Sequence, residues 1–185
     1  MPELTLSPVH ALAHVPVGRF GAAENASPLA LTALAEGTIL QILGAAPDSI
    51  APALAEFGNF VIRPNAPAQW LAISDKPLSS SELTQIDAAL TGKADVIDQS
   101  AGRIRIQIEG PDVRAALAKG VAVDLHHDVF ELGQSVTTLC GHITVNITRT
   151  GDDQFELLVM RTYAVDLWES LTEMVLEHGI ECRHA

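Results

Sequence analysis

Positive charge is scarce in this chain: no lysine or arginine occurs from Phe20 to Ile62, and 11 Lys and Arg stand against 23 Asp and Glu, for a net charge of -12. A surface of that sign repels phosphate backbones and anionic lipid, which argues against nucleic acid and membrane as partners. Cysteine is nearly absent. Cys140 and Cys182 lie far apart without C-x-x-C spacing, a pattern that suits a reducing, cytoplasmic compartment better than a disulfide scaffold. Long apolar runs are missing too: no 18 apolar residues are consecutive, and "MPELTLSPVH" has neither a basic n-region nor an apolar h-region. Neither a spanning helix nor a signal peptide is expected.

What is present is apolar surface and regular patterning. With 48% hydrophobic residues in 185, the chain can bury a core without staples and has apolar surface to spare for another protein. Residues 1–36, rich in Ala and Pro with no sustained period, read as an extended arm. An α+β domain follows over residues 37–179, in halves of about 37–99 and 100–179, with 180–185 as a tail. In the first half, "TILQILG", "FVIR", "QWLAIS" and "ADVIDQ" read as strands. Pro47 opens one helix that Gly58 stops; Ser79 and Glu82, at capping-box spacing, open a second that carries Leu83, Ile86 and Leu90 in one stripe. The order β-α-β-β-α-β is the split βαβ of ferredoxin-like folds.

The second half opens on "RIRIQIE", where Ile104, Ile106 and Ile108 point to a core and Arg103 and Arg105 to a wet face. "GPDVRAALAKG" reads as a helix from Pro111 to Gly120. Next come the strands "SVTTLC", "HITVNIT" and "FELLVM", and a last helix with Thr162 as cap, Trp168, Leu171 and Val175 inward, and Gly179 as stop. Two such halves imply mostly antiparallel sheets, each with helices on one face.

The stretch "GVAVDLHHDVFELG" has neither helical nor strand period and spans about a dozen residues, a length at which connections are often functional. A metal site would take His126 or His127 with Asp124, joined by Cys140 and His142, which requires ligands from two elements to converge. Adjacent histidines are expected to diverge, and no H-E-x-x-H accompanies them. The loop therefore reads as solvated or partner-facing, with Asp124, Leu125, His126, His127 and Phe130 as candidate contacts. Cys140 and His142 read as an inert thiol and its neighbour rather than a nucleophile and base. His178, Cys182 and His184 fall in or beside the fraying tail, and Asn146 of "NIT" sits within a strand, so no glycosylation is read there. No catalytic, cofactor-binding or metal-ligating residue is assigned.

Taken in order, "DQS" at 98–100, "GPDVRAALAKG", "DLH" at 124–126, "FELG", "TLCGH", "ITRTGDDQFELLVMR" and "TYAVDLW" resemble the gamma subunit family of heterotetrameric sarcosine oxidase. The resemblance implies a fold similar to the folate-binding domain of the glycine-cleavage aminomethyltransferase. It implies alpha, beta and delta partner subunits that carry FAD, FMN, NAD and tetrahydrofolate, with no cofactor in the gamma subunit itself. It further implies oxidative demethylation of sarcosine to glycine by the complex, the methyl carbon passing to tetrahydrofolate or leaving as formaldehyde, with hydrogen peroxide formed. The alternatives are a gamma-like subunit of N-methylglutamate dehydrogenase and a free-standing folate-binding or aminomethyltransferase-like protein.

Overall fold

The computed structural model describes residues 9–22, 29–44 and 46–185. In chain order its elements are β1 (Gly18–Phe20), β2 (Leu29–Ala33), β3 (Thr38–Leu43), α1 (Pro47–Ala55), β4 (Val61–Ala66), β5 (Gln69–Ser74), α2 (Ser80–Leu90) and β6 (Asp95–Asp98). The rest are β7 (Arg103–Glu109), α3 (Val113–Leu117), β8 (Ser135–Cys140), β9 (Ile143–Gly151), β10 (Gln154–Met160), a 3₁₀ turn (Arg161–Tyr163), α4 (Ala164–Met174) and β11 (Ile180–His184). Among the described residues no helix is long and apolar enough to cross a membrane.

The smaller sheet, ordered β4-β5-β3-β6, is antiparallel throughout. It is the expected split βαβ, closed within one stretch of chain. Its helices start as their sequences dictate. Pro47 occupies the first turn of α1, where a missing N–H costs nothing. Ser79 caps α2 by accepting from the Glu82 N–H, while Glu82 accepts from the Ser79 N–H at 2.8 Å. Lys76 donates to the same carboxylate, and it and Ser79 together hold the Glu82 carboxyl down to about 2. Ile50, Leu54, Ile86 and Leu90 bury one face of the helix pair against Leu40, Ile42 and Ala72.

The larger sheet is ordered β1-β11-β2-β7-β10-β9-β8. Taken as β7, α3, β9, β10, α4 and β11, it repeats the plan of the smaller one, with β2 inserted between β11 and β7 and with β8 and β1 added at the edges. Ile104, Ile106 and Ile108 pack with Phe155, Leu157 and Val159 against Leu167, Trp168 and Leu171 of α4. The other faces of the two sheets meet, so the layers run helix, sheet, sheet, helix, with Leu158 against Ile39, Leu71 and Ile73.

That meeting overturns one expectation. The polar face of β7 is not wet: Arg105 is only 10% exposed, and its guanidinium grips Glu156 of β10 at 2.9 and 3.0 Å and Asp75, beyond β5, at 2.6 Å. Arg63 of β4 reaches the same Glu156 at 2.8 Å, with both side chains 4% exposed. Burial alone would raise the Glu156 carboxyl, but the hydrogen bonds and charges of Arg105 and Arg63 more than offset it and hold it at about 2. Alternation identified the two faces correctly, and a second sheet rather than water covers the polar one.

Both chain ends also differ from the reading as arm and tail. Leu29–Ala33 forms β2, a strand paired on both sides, by β11 in parallel and β7 antiparallel, with Leu31 fully buried. Leu12 is fully buried too, and β1 pairs with β11, while the remainder of the predicted arm, residues 1–8 and 23–28, lies outside the described residues. Residues 180–184 are that same β11, with Ile180 and Cys182 in the core, so they do not fray. Alternation is lost in "LALTA" because helices cover one side of the central strand and sheet neighbours enclose it. Smaller shifts occur at helix ends: α3 is a short segment over Val113–Leu117, and Thr162 lies in the 3₁₀ turn before α4 rather than capping it.

Candidate functional site

The aperiodic loop over residues 120–134 leaves α3 and returns to the edge strand β8. Its ends are tied down by backbone pairing: Val121 bridges Cys140, the Ala122 N–H donates to the Leu139 carbonyl at 3.1 Å, and at the far end the Gly133 N–H donates to the Arg149 carbonyl at 2.8 Å. Two apolar anchors hold its middle. Leu125 and Phe130 are 4% and 1% exposed, and the Phe130 ring lies 6.3 Å from that of Phe155. These two predicted contacts are therefore corrected to core residues, because the loop runs over the open end of the helix-facing core and must close it.

Two arginines complete the clamp by donating to loop carbonyls. Arg149, buried at the end of β9, reaches the carbonyls of Phe130 at 3.0 Å and His127 at 3.3 Å. Arg114 of α3 donates from Nε to the Leu125 carbonyl at 3.0 Å, pairs with Asp153 and lies over the Phe155 ring. The loop is thus a fixed shape whose backbone acceptors are met from inside. Neither arginine stood out in sequence, since a charge at a strand end and one on a short helix carry no loop signal.

What the loop presents outward is Asp124, His126, His127 and Asp128, together with Val129 and Leu132, both large apolar side chains left exposed. Asp124 accepts from the His126 backbone N–H at 2.9 Å, and the two imidazoles lie side by side with ring centroids 4.2 Å apart. The expected divergence of adjacent histidines does not occur. His127 Nε2 lies 3.1 Å from Asp128 Oδ1 and His126 Nδ1 lies 3.6 Å from Asp128 Oδ2, and the three ligand atoms fall within 4.8 Å of one another. The third member is Asp128, not the predicted Asp124, Cys140 or His142. All three belong to one exposed loop, where water competes for every ligand position.

The remaining chemistry-bearing residues are separated. Cys140 faces the core, and burial pushes its thiol up to about 11, while His142 is exposed on the β8–β9 turn. A thiol held protonated is a poor nucleophile. Cys182 is buried in the helix-facing core and burial raises its thiol, whereas His184 is exposed. Asn146 is 1% exposed and its Nδ2 donates to the Pro64 carbonyl at 2.8 Å, so its sequon is closed to modification. A cavity of about 410 Å³ opens where the two halves meet, lined by Glu36, Leu78, Leu83, Asp98, Ser100 and Arg161. Its polar groups are already engaged: Asp98 accepts from Ser100 at 2.6 Å, and Arg161 lies 3.8 Å from Glu36 and donates to the Val9 carbonyl.

Set against known proteins, residues 30–177 match the model of the sarcosine oxidase, gamma subunit family. A sarcosine oxidase subunit gamma from Arthrobacter sp is 33% identical over 93 residues, which is 50% of this chain and 45% of that protein. The matched region spans about half the length of the curated relatives. Among solved structures, one chain of heterotetrameric sarcosine oxidase from Corynebacterium sp. U-96, in complex with pyrrole 2-carboxylate, superposes on 85% of this chain over 89% of its own length, with a TM-score of 0.72 at 22% identity. Glycine cleavage system aminomethyltransferase T from Bartonella henselae covers 86% of this chain with 48% of its own, at a TM-score of 0.58 and 14% identity. Both likenesses bear out the expected α+β fold.

Proposed function

Because the chain belongs to the sarcosine oxidase gamma subunit family, we propose that it works as a non-catalytic subunit of a heterotetrameric flavoenzyme that oxidatively demethylates sarcosine to glycine. The observation that carries the reading is the family match over residues 30–177, which takes in all four helices, the whole smaller sheet and the larger sheet apart from β1 and β11. The partners are alpha, beta and delta subunits, and FAD, FMN, NAD and tetrahydrofolate belong to them. The methyl carbon passes to tetrahydrofolate or leaves as formaldehyde, and hydrogen peroxide forms in the partners. The arrangement of this chain's own side chains is in keeping with that division of labour. Its buried charges hold sheet to sheet or pin a loop, and its two thiols lie in the core.

Co-expression of the tagged chain with alpha, beta and delta subunits of a sarcosine oxidase tests the proposal. The expected result is co-purification of all four as a coloured complex that oxidises sarcosine. Recovery of the chain alone, with the partner subunits folded and present, would overturn it.

A further inference from the structure

Almost every cation of this acidic protein is matched internally. Arg19, Arg63, Lys76, Arg105, Arg114, Lys119, Arg149, Arg161 and Arg183 each lie within 4.0 Å of a carboxylate. Among the described residues two cations have no such partner, Lys93 and Arg103. Lys93 is exposed, where water serves it. Arg103 is different: it is partly buried at the start of β7, its Nε is buried without an acceptor, and desolvation lowers its pKa with no opposing group. Arg63 also leaves its Nε unmatched, but its Nη1 reaches Glu156.

The place of Arg103 in the sheet shows what it faces. It stands on the same face as Arg105, one step further towards the end of the seam between the sheets, and directly across the ladder from Met160. Met160 is 42% exposed. A cation stripped of part of its water, without a carboxylate among the described residues of a chain that has 23 Asp and Glu, and set directly beside an exposed Met is a surface lacking its other half. Arg and Met are enriched at protein interfaces, where a guanidinium is matched by a carboxylate from the other side. The net charge of -12 makes a nucleic acid or an anionic lipid a poor occupant despite their phosphates.

We infer that the end of the sheet seam formed by Arg103 and Met160 is a docking surface for a partner subunit, which supplies an Asp or Glu carboxylate to Arg103 and an apolar side chain to Met160. The inference rests on the gamma-subunit reading and names the face through which that subunit is held.

The test uses the full chain and two variants. Arg103→Met removes the charge and keeps the length, and because a partly buried unmatched cation costs stability, the isolated variant should melt at or above the temperature of the parent. Met160→Glu places a carboxylate directly opposite Arg103, satisfying it from within and presenting like charge to the partner. Each should lower the affinity for the co-expressed alpha, beta and delta subunits at least about tenfold. Either variant assembling within about twofold of the parent while melting as the parent does would overturn the inference. Failure of the unaltered chain to assemble would instead overturn the gamma-subunit reading, and this inference with it.

Discussion

The two sheets follow one plan but are closed in different ways. The smaller is built from residues 38–98 alone, each strand meeting its neighbours within a single stretch of chain. The larger shares that core order, yet it draws β2 from before the smaller unit and β11 from after α4, and pairs them in parallel between β1 and β7. Their meeting faces differ as well. The smaller sheet offers Ile39, Leu71 and Ile73 with one cation, Arg63, while the larger offers Arg105, Asn146 and Glu156 around a single Leu158. A unit closed by local segments depends on itself, and one closed by both termini makes the whole chain cooperative. The seam between them supplies specificity through charge, because a buried pair fixes one register and penalises others.

The most severe way to break this comparison is to delete residues 1–33. If the N-terminal stretch only lay on a partner, the isolated remainder would still unfold cooperatively. With β2 placed between β11 and β7, the truncated chain should instead lose its cooperative transition in thermal melts followed by circular dichroism. A retained sharp transition would return β2 to the role of arm.

Next in size is the seam itself. Glu156→Ala leaves Arg63 and part of Arg105 buried without their shared carboxylate and should cost about 3–5 kcal/mol in urea unfolding. The same carboxylate predicts an acid limb. Its folded pKa, about 2, lies below the ordinary 4.5. Its contribution is therefore complete above the unfolded value and is lost as pH falls from the ordinary range towards the folded one. In the Glu156→Ala variant the stability profile should be flatter over that window. An equally steep profile would place the acid sensitivity elsewhere.

How much of this was legible in sequence follows the same division. Residues 38–98 show their strands, both helices and the capping box, because each signal there is local. Leu29–Ala33 and Ile180–His184 do not, since "LALTA" lacks alternation and a β-branched run, and "IECRH" sits where chains commonly fray. The loop was legible as a loop and its anchors as apolar residues, but which of them turn inward depends on Arg114 and Arg149, which approach from other elements. Glu156 did carry a signal. A lone carboxylate inside the apolar run "FELLVM" has to be matched if that run is buried, and the lone cation ending "FVIR" is the partner it finds.

On the proposed function, this chain's polar groups serve architecture and assembly, and turnover belongs to the partner subunits. The most direct measurement is the visible absorbance and sarcosine-dependent peroxide production of the purified chain alone, set beside those of the co-expressed complex. The expected result is a colourless, inactive chain and a coloured, active complex. Amine oxidation, or a stoichiometric flavin or folate, in the isolated chain would contradict it.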